Sequence, residues 1–347
     1  MNKKVNIYYA GFKHRGGGAY FHVMNLSKGL EEMGYLVKIV TIDNLPFIFR
    51  YLPHIVQKIG NIVNFPFGFL YKQKIIQYFY KMFFKNSSDI EIFEDIYTYW
   101  GSDTKSIVIV HALWSDNLQA FDISNKQRLS LERHESKIMN RIDTNIVTVS
   151  DPYKKFIISR LETRGLEVDI NVVELGVDIS QFISCTNNNR SIVFVGSLEV
   201  RKNIKFLLEV FIKLQTIDKY SLTIVGDGPQ KKELEEFINI NNIKNVDLLG
   251  RLSYKEVMLE LQKHQYYIHT STKESFSYAL LEAKLSGLTT VAYSSLEVPY
   301  EFIDIKVSTF KVTDWANEIC KNNQKMNFSK YRFSYQVMTN NTIERLQ

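Results

Sequence analysis

The run YYIHTSTKESFSYALLEAKLSGLTTVA, from Tyr266 to Ala292, decides how this chain is read. Tyr266–His269 is a short apolar run and predicts a strand, and Thr270–Lys273 is a polar turn. A helix is expected to begin near Ser275–Ser277 and to cover Tyr278–Ser286, where Ala279, Leu280, Ala283 and Leu285 are good helix formers or apolar packers. Gly287 suits the left-handed residue past a helix end, and the β-branched run Thr289–Val291 predicts the next strand. Glu274 then lies in the loop at a strand's carboxyl end, and Glu282 lies about two turns into the helix.

Backbone N–H groups at Ser275, Phe276 and Ser277 point out of the positive end of that helix, which suits an anion. Two carboxylates flanking such a nest can grip a polyhydroxylated ligand that carries phosphate: the carboxylates accept from hydroxyls and the amides take the phosphate. The residues alone leave a plainer reading open. In it Glu274 is a helix-start residue favoured by the dipole and Glu282 a solvated surface charge.

Working outward, Ser191–Val195 predicts a strand, Gly196–Lys202 a loop, Asn203–Leu214 a helix and Tyr220–Val225 a strand. Gly226-Asp227-Gly228-Pro229 is a tight turn before a helix over Gln230–Ile240, Val246–Leu249 is a strand, and Ser253 with Glu256 forms a capping box for a helix to His264. This alternation describes a doubly wound domain with a parallel sheet. Arg201 and Lys202 fall in its first strand–helix loop, where diphosphate charge would be met; cations at a helix start otherwise oppose the dipole. Ser184–Arg190, with three consecutive asparagines, reads as the linker to an earlier domain.

That earlier domain opens with a strand over Val5–Tyr9, a loop over Gly11–Gly18, a helix over Ala19–Met33 ended by Gly34, and a strand over Tyr35–Ile42. Gly16, Gly17 and Gly18 allow close backbone approach of a ligand, with His14 and Arg15 beside them, although a plain flexible turn reads equally well. Ile90–Tyr97 and Asn171–Leu175 read as further strands, and Ser150-Asp151-Pro152 caps a helix. SIVIV, Ser106–Val110, is a strand buried on both faces, and His111 sits at its carboxyl end, where ligands of open parallel sheets bind. A lone histidine is as often structural.

Leu45–Ser88 contains no acid but carries Arg50, Lys58, Lys72, Lys74, Lys81 and Lys85 among a dozen large aromatics, Phe65 included. Cations with interfacial aromatics fit an anionic membrane surface. The alternative is a pair of core helices with solvated lysines. The chain's 347 residues suffice for two domains, and 45% hydrophobic with 23% charged residues is ordinary for a soluble globular protein. A net charge of +6 is consistent with anionic ligands but too weak to argue for nucleic acid. Two cysteines, Cys185 and Cys320, lie far apart and fit a reducing cytoplasm, no Cys or His metal-ligand spacing appears, and neither a signal-peptide core nor an 18-residue apolar run is present.

The run around Glu274 resembles the Glu, seven residues, Glu signature of the family-four retaining glycosyltransferases, which have the GT-B fold. Glu274, Phe276, Glu282 and Ala283 match; Ser275 and Ser277 replace the usual glycines and Thr289 a common proline, departures that look mild because serine is small and keeps the backbone donors. Gly176, Val177 and Asp178 match the turn before the family's domain linker, with Leu175 departing. Gly196, Lys202 and Asn203 match the phosphate loop, but Ser197 stands where the family has an arginine, for which Arg201 or Arg251 can substitute. Phe333-Ser334-Tyr335 resembles the opening of the family's last helix.

The resemblance implies an α/β GT-B fold of two Rossmann-like doubly wound domains facing a cleft. It places an acceptor-side domain over 1–184, a nucleotide-sugar domain over 185–325 and a returning helix over 326–347. It implies a metal-independent retaining hexosyltransferase of the bacterial surface-polysaccharide type, working with no cofactor beyond its nucleoside diphosphate sugar, a UDP-sugar first among the options. His111, Glu274, Lys202 and Arg201 are the expected catalytic residues. Gly17, Gly18, Ser197, Arg251, Phe276, Ser277 and Glu282 are the expected donor contacts. The acceptor is expected to be a glycan or lipid-linked, and the location cytoplasmic, peripherally on the inner face of the cell membrane. The rival reading is a non-catalytic partner subunit of the same fold that binds an acceptor protein or glycan.

Overall fold

The computed structural model describes residues 3–13, 17–64, 66–118, 123–184, 187, 189–321 and 325–346. His14, Arg15 and Gly16 of the first loop, Phe65 of the basic aromatic segment, and Cys185, Thr186 and Asn188 of the expected linker lie outside the described residues. The chain divides into two units, Met1–Asp178 with Tyr331–Gln347, and Ile179–Lys330.

The first unit carries strands β1 (Lys4–Tyr8), β2 (Leu36–Val40), β3 (Ile90–Phe93), β4 (Lys105–Val110), β5 (Asn145–Thr148) and β6 (Ile170–Val172). They form one sheet in the order β2-β1-β3-β4-β5-β6, every pair parallel. Ile107, Val108, Ile109 and Val110 are all buried, as a strand covered on both faces requires. Helices α1 (Gly18–Glu32), α2 (Phe47–Arg50), α3 (Leu52–Asn64), α4 (Gly68–Phe84), α5 (Trp114–Asn117), α6 (Asn125–Met139) and α7 (Asp151–Glu162) connect the strands.

The second unit repeats the plan with β7 (Ser191–Val195), β8 (Ser221–Val225), β9 (Val246–Gly250), β10 (Tyr266–His269), β11 (Thr289–Tyr293) and β12 (Ile305–Val307). Its sheet order is β12-β11-β10-β7-β8-β9, again all parallel. Helices α8 (Ile204–Gln215), α9 (Lys231–Ile240), α10 (Tyr254–Leu261), α11 (Tyr278–Leu285) and α12 (Val312–Cys320) link the strands. The α8 stripe Ile204, Leu207, Leu208, Phe211 and Leu214 is fully buried at helical spacing, each side chain contributing about 1.5–3 kcal/mol.

The last helix, α13 (Tyr335–Glu344), belongs to the first unit. It starts later than residue 326, where Ser334 caps it by accepting from the Val337 amide. It lies so close to α1 that a Cβ on Gly29 would stand 2.1 Å from Thr339 Oγ1. The unit boundaries fall at 178 and 330 rather than 184 and 325, and the reason is local. Asp178 pairs with Lys28 of the first unit at 2.8 Å, and Val177 exchanges backbone hydrogen bonds with Phe333 and Tyr335. The expected strand over Ile90–Tyr97 stops at Phe93, because the Asp95 carboxylate accepts from the amides of Tyr97 and Thr98 at 2.8 and 2.7 Å and turns the chain. The basic aromatic segment forms α2, α3 and α4.

Candidate functional site

In an open parallel sheet, ligands bind where the strand order reverses. In the second unit β7 is followed by β8 on one side and flanked by β10 on the other, so the reversal lies between the carboxyl ends of β7 and β10. The loops after those two strands carry Arg201, Lys202 and Glu274. A short 3₁₀ turn, Val200–Lys202, leads into α8 through Asn203, whose φ of 52° is left-handed. Thr270 Oγ1 donates to the Lys202 carbonyl at 2.9 Å and the Thr272 amide to the Arg201 carbonyl at 3.1 Å, so the two loops are laced together by backbone.

The floor of the β7 loop needs glycine. A Cβ on Gly226, at φ 146°, would stand 1.8 Å from the Gly196 carbonyl oxygen, and one on Gly228 would meet the Leu198 backbone at 2.6 Å. The Leu198 amide donates to the Asp227 carbonyl at 3.0 Å across this approach. Ser197 is half-buried at the start of the turn. Gly196 and the Gly226–Gly228 turn therefore form a close-packed backbone platform.

Glu274 is the centre of the charge arrangement. Its Oε1 receives Lys202 Nζ at 2.5 Å, His269 Nε2 at 3.1 Å and Arg201 Nη1 at 3.4 Å. Burial pushes the Glu274 carboxyl up, but Lys202, the His269 hydrogen bond and Arg201 outweigh it and hold the group well below the usual carboxylate range. His269 is fully buried, and burial lowers its pKa with only partial compensation from Glu274, so the ring is neutral. An ionised Glu274 can only accept, so His269 Nε2 carries the proton; the Tyr267 hydroxyl lies 3.1 Å from Nδ1 and donates to the Val195 carbonyl at 3.1 Å. Tyr267 and His269 are two residues apart on one face of β10, which aims the pair at the strand's carboxyl end.

Glu274 is followed by Phe276, whose ring is 2% exposed and packs on Phe302 at 5.1 Å. Only its backbone is placed to meet a ligand. Ser277 caps α11, accepting from the Leu280 amide, but does so at φ 71°, ψ 91°. Glycine adopts this conformation without cost and serine does not, so the replacement at Ser277 is not mild: the hydroxyl is kept at the expense of backbone strain. Glu282 is buried rather than solvated. Burial raises its pKa to about 8, opposed by a hydrogen bond from Tyr254. Its helix is braced by Lys284, which pairs with buried Asp304 at 2.6 Å.

In the first unit, the reversal lies between β1 and β3. Gly17 precedes α1 in extended backbone and Gly18 opens the helix; a Cβ on Gly17 would meet nothing within 4 Å among the described residues. His111 follows β4, its side chain 16% exposed, and its Nε2 lies 2.7 Å from Glu94 Oε2. Fully buried His22 of α1 stands behind, 3.6 Å from the same oxygen and in edge contact with the His111 ring at 4.9 Å. One donor atom from each of His22, Glu94 and His111 falls within 4.8 Å of the others, a set that could hold a metal ion although no sequence spacing announces it. The loop after His111 is anchored by three side chains. The Leu113, Trp114 and Ser115 amides donate to the hydroxyls of Tyr153 and Tyr97 and to Glu135, at 2.8, 2.9 and 2.9 Å. Burial raises the Glu135 pKa to about 7, against hydrogen bonds from Ser115 and Tyr97.

Of the expected residues, Arg201, Lys202 and Glu274 are brought into direct contact. Arg251 is not drawn into that cluster: it is exposed beyond the end of β9, two strands from β7. Tyr267, His269, Glu94, His22 and Tyr254 were missed. For His269 a signal existed, a histidine at a strand's carboxyl end five residues before Glu274; Glu94 and His22 reach His111 only through the fold.

Residues 179–319 match the family model of the glycosyl transferases group 1. The group 1 match covers most of the second unit. Over 117 residues the chain is 31% identical to the GtfA subunit of the UDP-N-acetylglucosamine–peptide N-acetylglucosaminyltransferase of Limosilactobacillus reuteri, covering 33% of this chain and 22% of that one. It is 24% identical over 282 residues to an uncharacterized glycosyltransferase of Methanocaldococcus jannaschii, covering 77% of this chain and 72% of that one. The chain thus spans about a fifth of the length of the GtfA relative. The structure of Anabaena HepE in complex with UDP and glucose superposes with a TM-score of 0.67 at 16% identity, covering 99% of both chains. The two parallel six-stranded sheets and this likeness establish a two-domain α/β fold of the GT-B type. The group 1 match itself is confined to the second unit.

Proposed function

We propose that this protein is a metal-independent retaining glycosyltransferase that moves a hexose from a nucleoside diphosphate to a glycan or lipid-linked acceptor in polysaccharide or glycoconjugate synthesis. The observation that carries the reading is the contact of Arg201, Lys202 and His269 with Glu274 Oε1 at the strand-order reversal of the group 1 unit. All three contacts fall on Glu274 Oε1, and Oε2 takes sugar hydroxyls. Arg201 and Lys202 supply the charge that a leaving diphosphate needs, with the α11 N-terminus beside them. Glu282 takes the ribose hydroxyls, and His111 contacts the sugar. Ser197 flanks the phosphates, and Gly17 and Gly18 let backbone approach the donor.

Glu274 is held so strongly ionised that it is a weak nucleophile and a weak base. This favours attack of the acceptor hydroxyl on the face from which the diphosphate leaves. The acceptor oxygen bonds to the anomeric carbon, the bond to the phosphate oxygen breaks, and that phosphate oxygen takes the hydroxyl proton. A covalent glycosyl-enzyme caught by mass spectrometry would sink this route.

UDP is the first nucleotide to test, in line with the ligand of HepE and the name of the GtfA relative. Thermal shift with UDP, GDP, ADP and CMP, with and without EDTA, is the experiment. A shift with one diphosphate, indifferent to EDTA and lost in Lys202→Ala, supports the reading; no shift with any nucleotide overturns it in favour of a non-catalytic subunit. The anomeric configuration of the product, read by NMR, decides retention.

The membrane-facing part of the reading rests on α3. Ile55, Ile59, Ile62 and Val63 form one stripe at helical spacing and are 51–85% exposed, and Phe47 and Ile48 beside it are 71% and 81% exposed. With the lysines of α4 this surface fits the anionic inner face of a cell membrane. No helix among the described residues is long and apolar enough to cross a membrane. Neutralising Lys72, Lys74 and Lys81 should lower co-sedimentation with anionic liposomes; lost activity with unchanged liposome binding counts against the membrane role.

A further inference from the structure

The first unit contains a cavity of about 890 Å³ that no part of the donor chemistry uses. Its walls are apolar: Val56 from α3, Ile75 from α4, Ile96 and Trp100 from the segment after β3, and Ile138 and Ile142 at the end of α6. Tyr71 and Tyr78 line it as well, and they are 44% and 62% exposed, so its wall runs out to the protein surface. The volume lies in the range of cavities that enclose a small molecule.

The rim is mainly basic. Lys74, Lys81 and Arg141 line the cavity against a single acid, Asp143, which accepts a hydrogen bond from the Tyr99 hydroxyl. Lys74 and Arg141 make no side-chain hydrogen bond or ion pair among the described residues. Lys81 Nζ donates to the Trp100 carbonyl at 3.3 Å, and its charge is also felt by Asp103. The buried indole N–H of Trp100 finds no acceptor among the described residues. An unsatisfied buried donor costs about 1–3 kcal/mol, which a ligand oxygen would recover. Nearby His134 reports the field: burial, then Lys74, Lys137 and Arg141, lower its pKa.

An apolar hole with cations at its mouth matches a molecule with a hydrocarbon chain and an anionic head. We infer that this cavity receives the hydrocarbon chain of the transferase's own acceptor, a glycan-bearing lipid phosphate whose sugar hydroxyl is the attacking group and whose phosphate oxygens meet Lys74, Lys81 and Arg141. Phosphate suits these residues, since Arg gives a bidentate fork and Lys a point charge. The inference rests on the acceptor half of the proposed function and not on the donor site. The α3 stripe brings the protein to the bilayer, and the cavity takes one lipid from it.

The probe is dodecyl phosphate, titrated by calorimetry below its micellar concentration, with inorganic phosphate and dodecyl maltoside as controls. Binding of dodecyl phosphate at least tenfold tighter than either control is expected. Lys74→Glu with Arg141→Glu should weaken it at least tenfold, and Ile75→Trp, which fills the cavity, should do the same with the charges intact. The UDP thermal shift, measured on each variant, shows that the protein is folded and tests the donor reading separately. Ile62→Asp with Val63→Asp, outside the cavity, should lower liposome binding and leave dodecyl phosphate binding unchanged. Liposome binding without dodecyl phosphate binding would overturn the inference and leave surface adhesion only. Dodecyl phosphate binding indifferent to the cavity variants would overturn it as well.

Discussion

Lys202 Nζ lies 2.5 Å from Glu274 Oε1, joining the loops of two adjacent strands into one charged unit. Both side chains are about nine-tenths buried, so neither charge tolerates loss of the other. Lys202→Ala leaves Glu274 with Arg201 at 3.4 Å and His269 at 3.1 Å. We expect a loss of about 3 kcal/mol, at the low end for a broken buried pair because those partners remain. Urea denaturation checks this, and a double-mutant cycle with Glu274→Gln should return a coupling well above the error of the method.

Glu274 also sets an acid limit. Its folded pKa lies well below the ordinary glutamate value of 4.5, so its stabilisation is present above that value and is lost as pH falls. Glu274→Gln should flatten the acid side of the stability–pH curve while leaving the neutral-to-basic slope alone.

Glu282 behaves in the opposite sense. Its folded pKa is raised from 4.5 to about 8, so folding prefers the protonated form. Its contribution is fully present below about pH 4.5 and is lost as pH rises through 8. The melting temperature of Glu282→Gln should therefore rise relative to the parent between those values. If the carboxylate takes ribose hydroxyls, UDP binding near pH 7 should release a proton, read by calorimetry in buffers of different ionisation enthalpy.

Ser277→Gly should stabilise the protein. Relief of a non-glycine residue at φ 71° is worth about 1 kcal/mol, and the weak 3.4 Å cap from Ser277 Oγ returns only a few tenths. A melting temperature unchanged or lowered would show that the hydroxyl matters more than the backbone.

Glu94 is placed to fix the orientation of His111, whose Nε2 it holds at 2.7 Å. Glu94→Gln should lower kcat about tenfold with a smaller effect on KM, and should change the nitrogen-15 shifts of the His111 ring, which a purely structural loss would leave alone.

Much of the fold was legible because it rests on local pattern. The β-branched runs Ser106–Val110 and Ser191–Val195 are buried strands, and the Ser150 and Ser253 caps stand where their spacing put them. Boundaries failed where a side chain turned the chain early, as Asp95 does after β3. The serine at 277 looked harmless because residue size is visible in sequence and a positive φ is not. His22, Glu94 and His111 meet from three separate elements, and nothing in their separations along the chain predicts it.

The sequence by itself determined two runs of alternating strands and helices, the loops that carry Arg201, Lys202, Glu274 and His111, and an acid-free aromatic segment. These follow from periodicity, caps and composition, which act over a few residues. Only the tertiary structure decided that Glu274 is ionised among three donors while Glu282, eight residues on, is pushed to a pKa of about 8. The two carry the same side chain. Their difference is set by which strand ends lie side by side and how much water each keeps, because the energy of a charge depends on neighbours in space rather than in sequence.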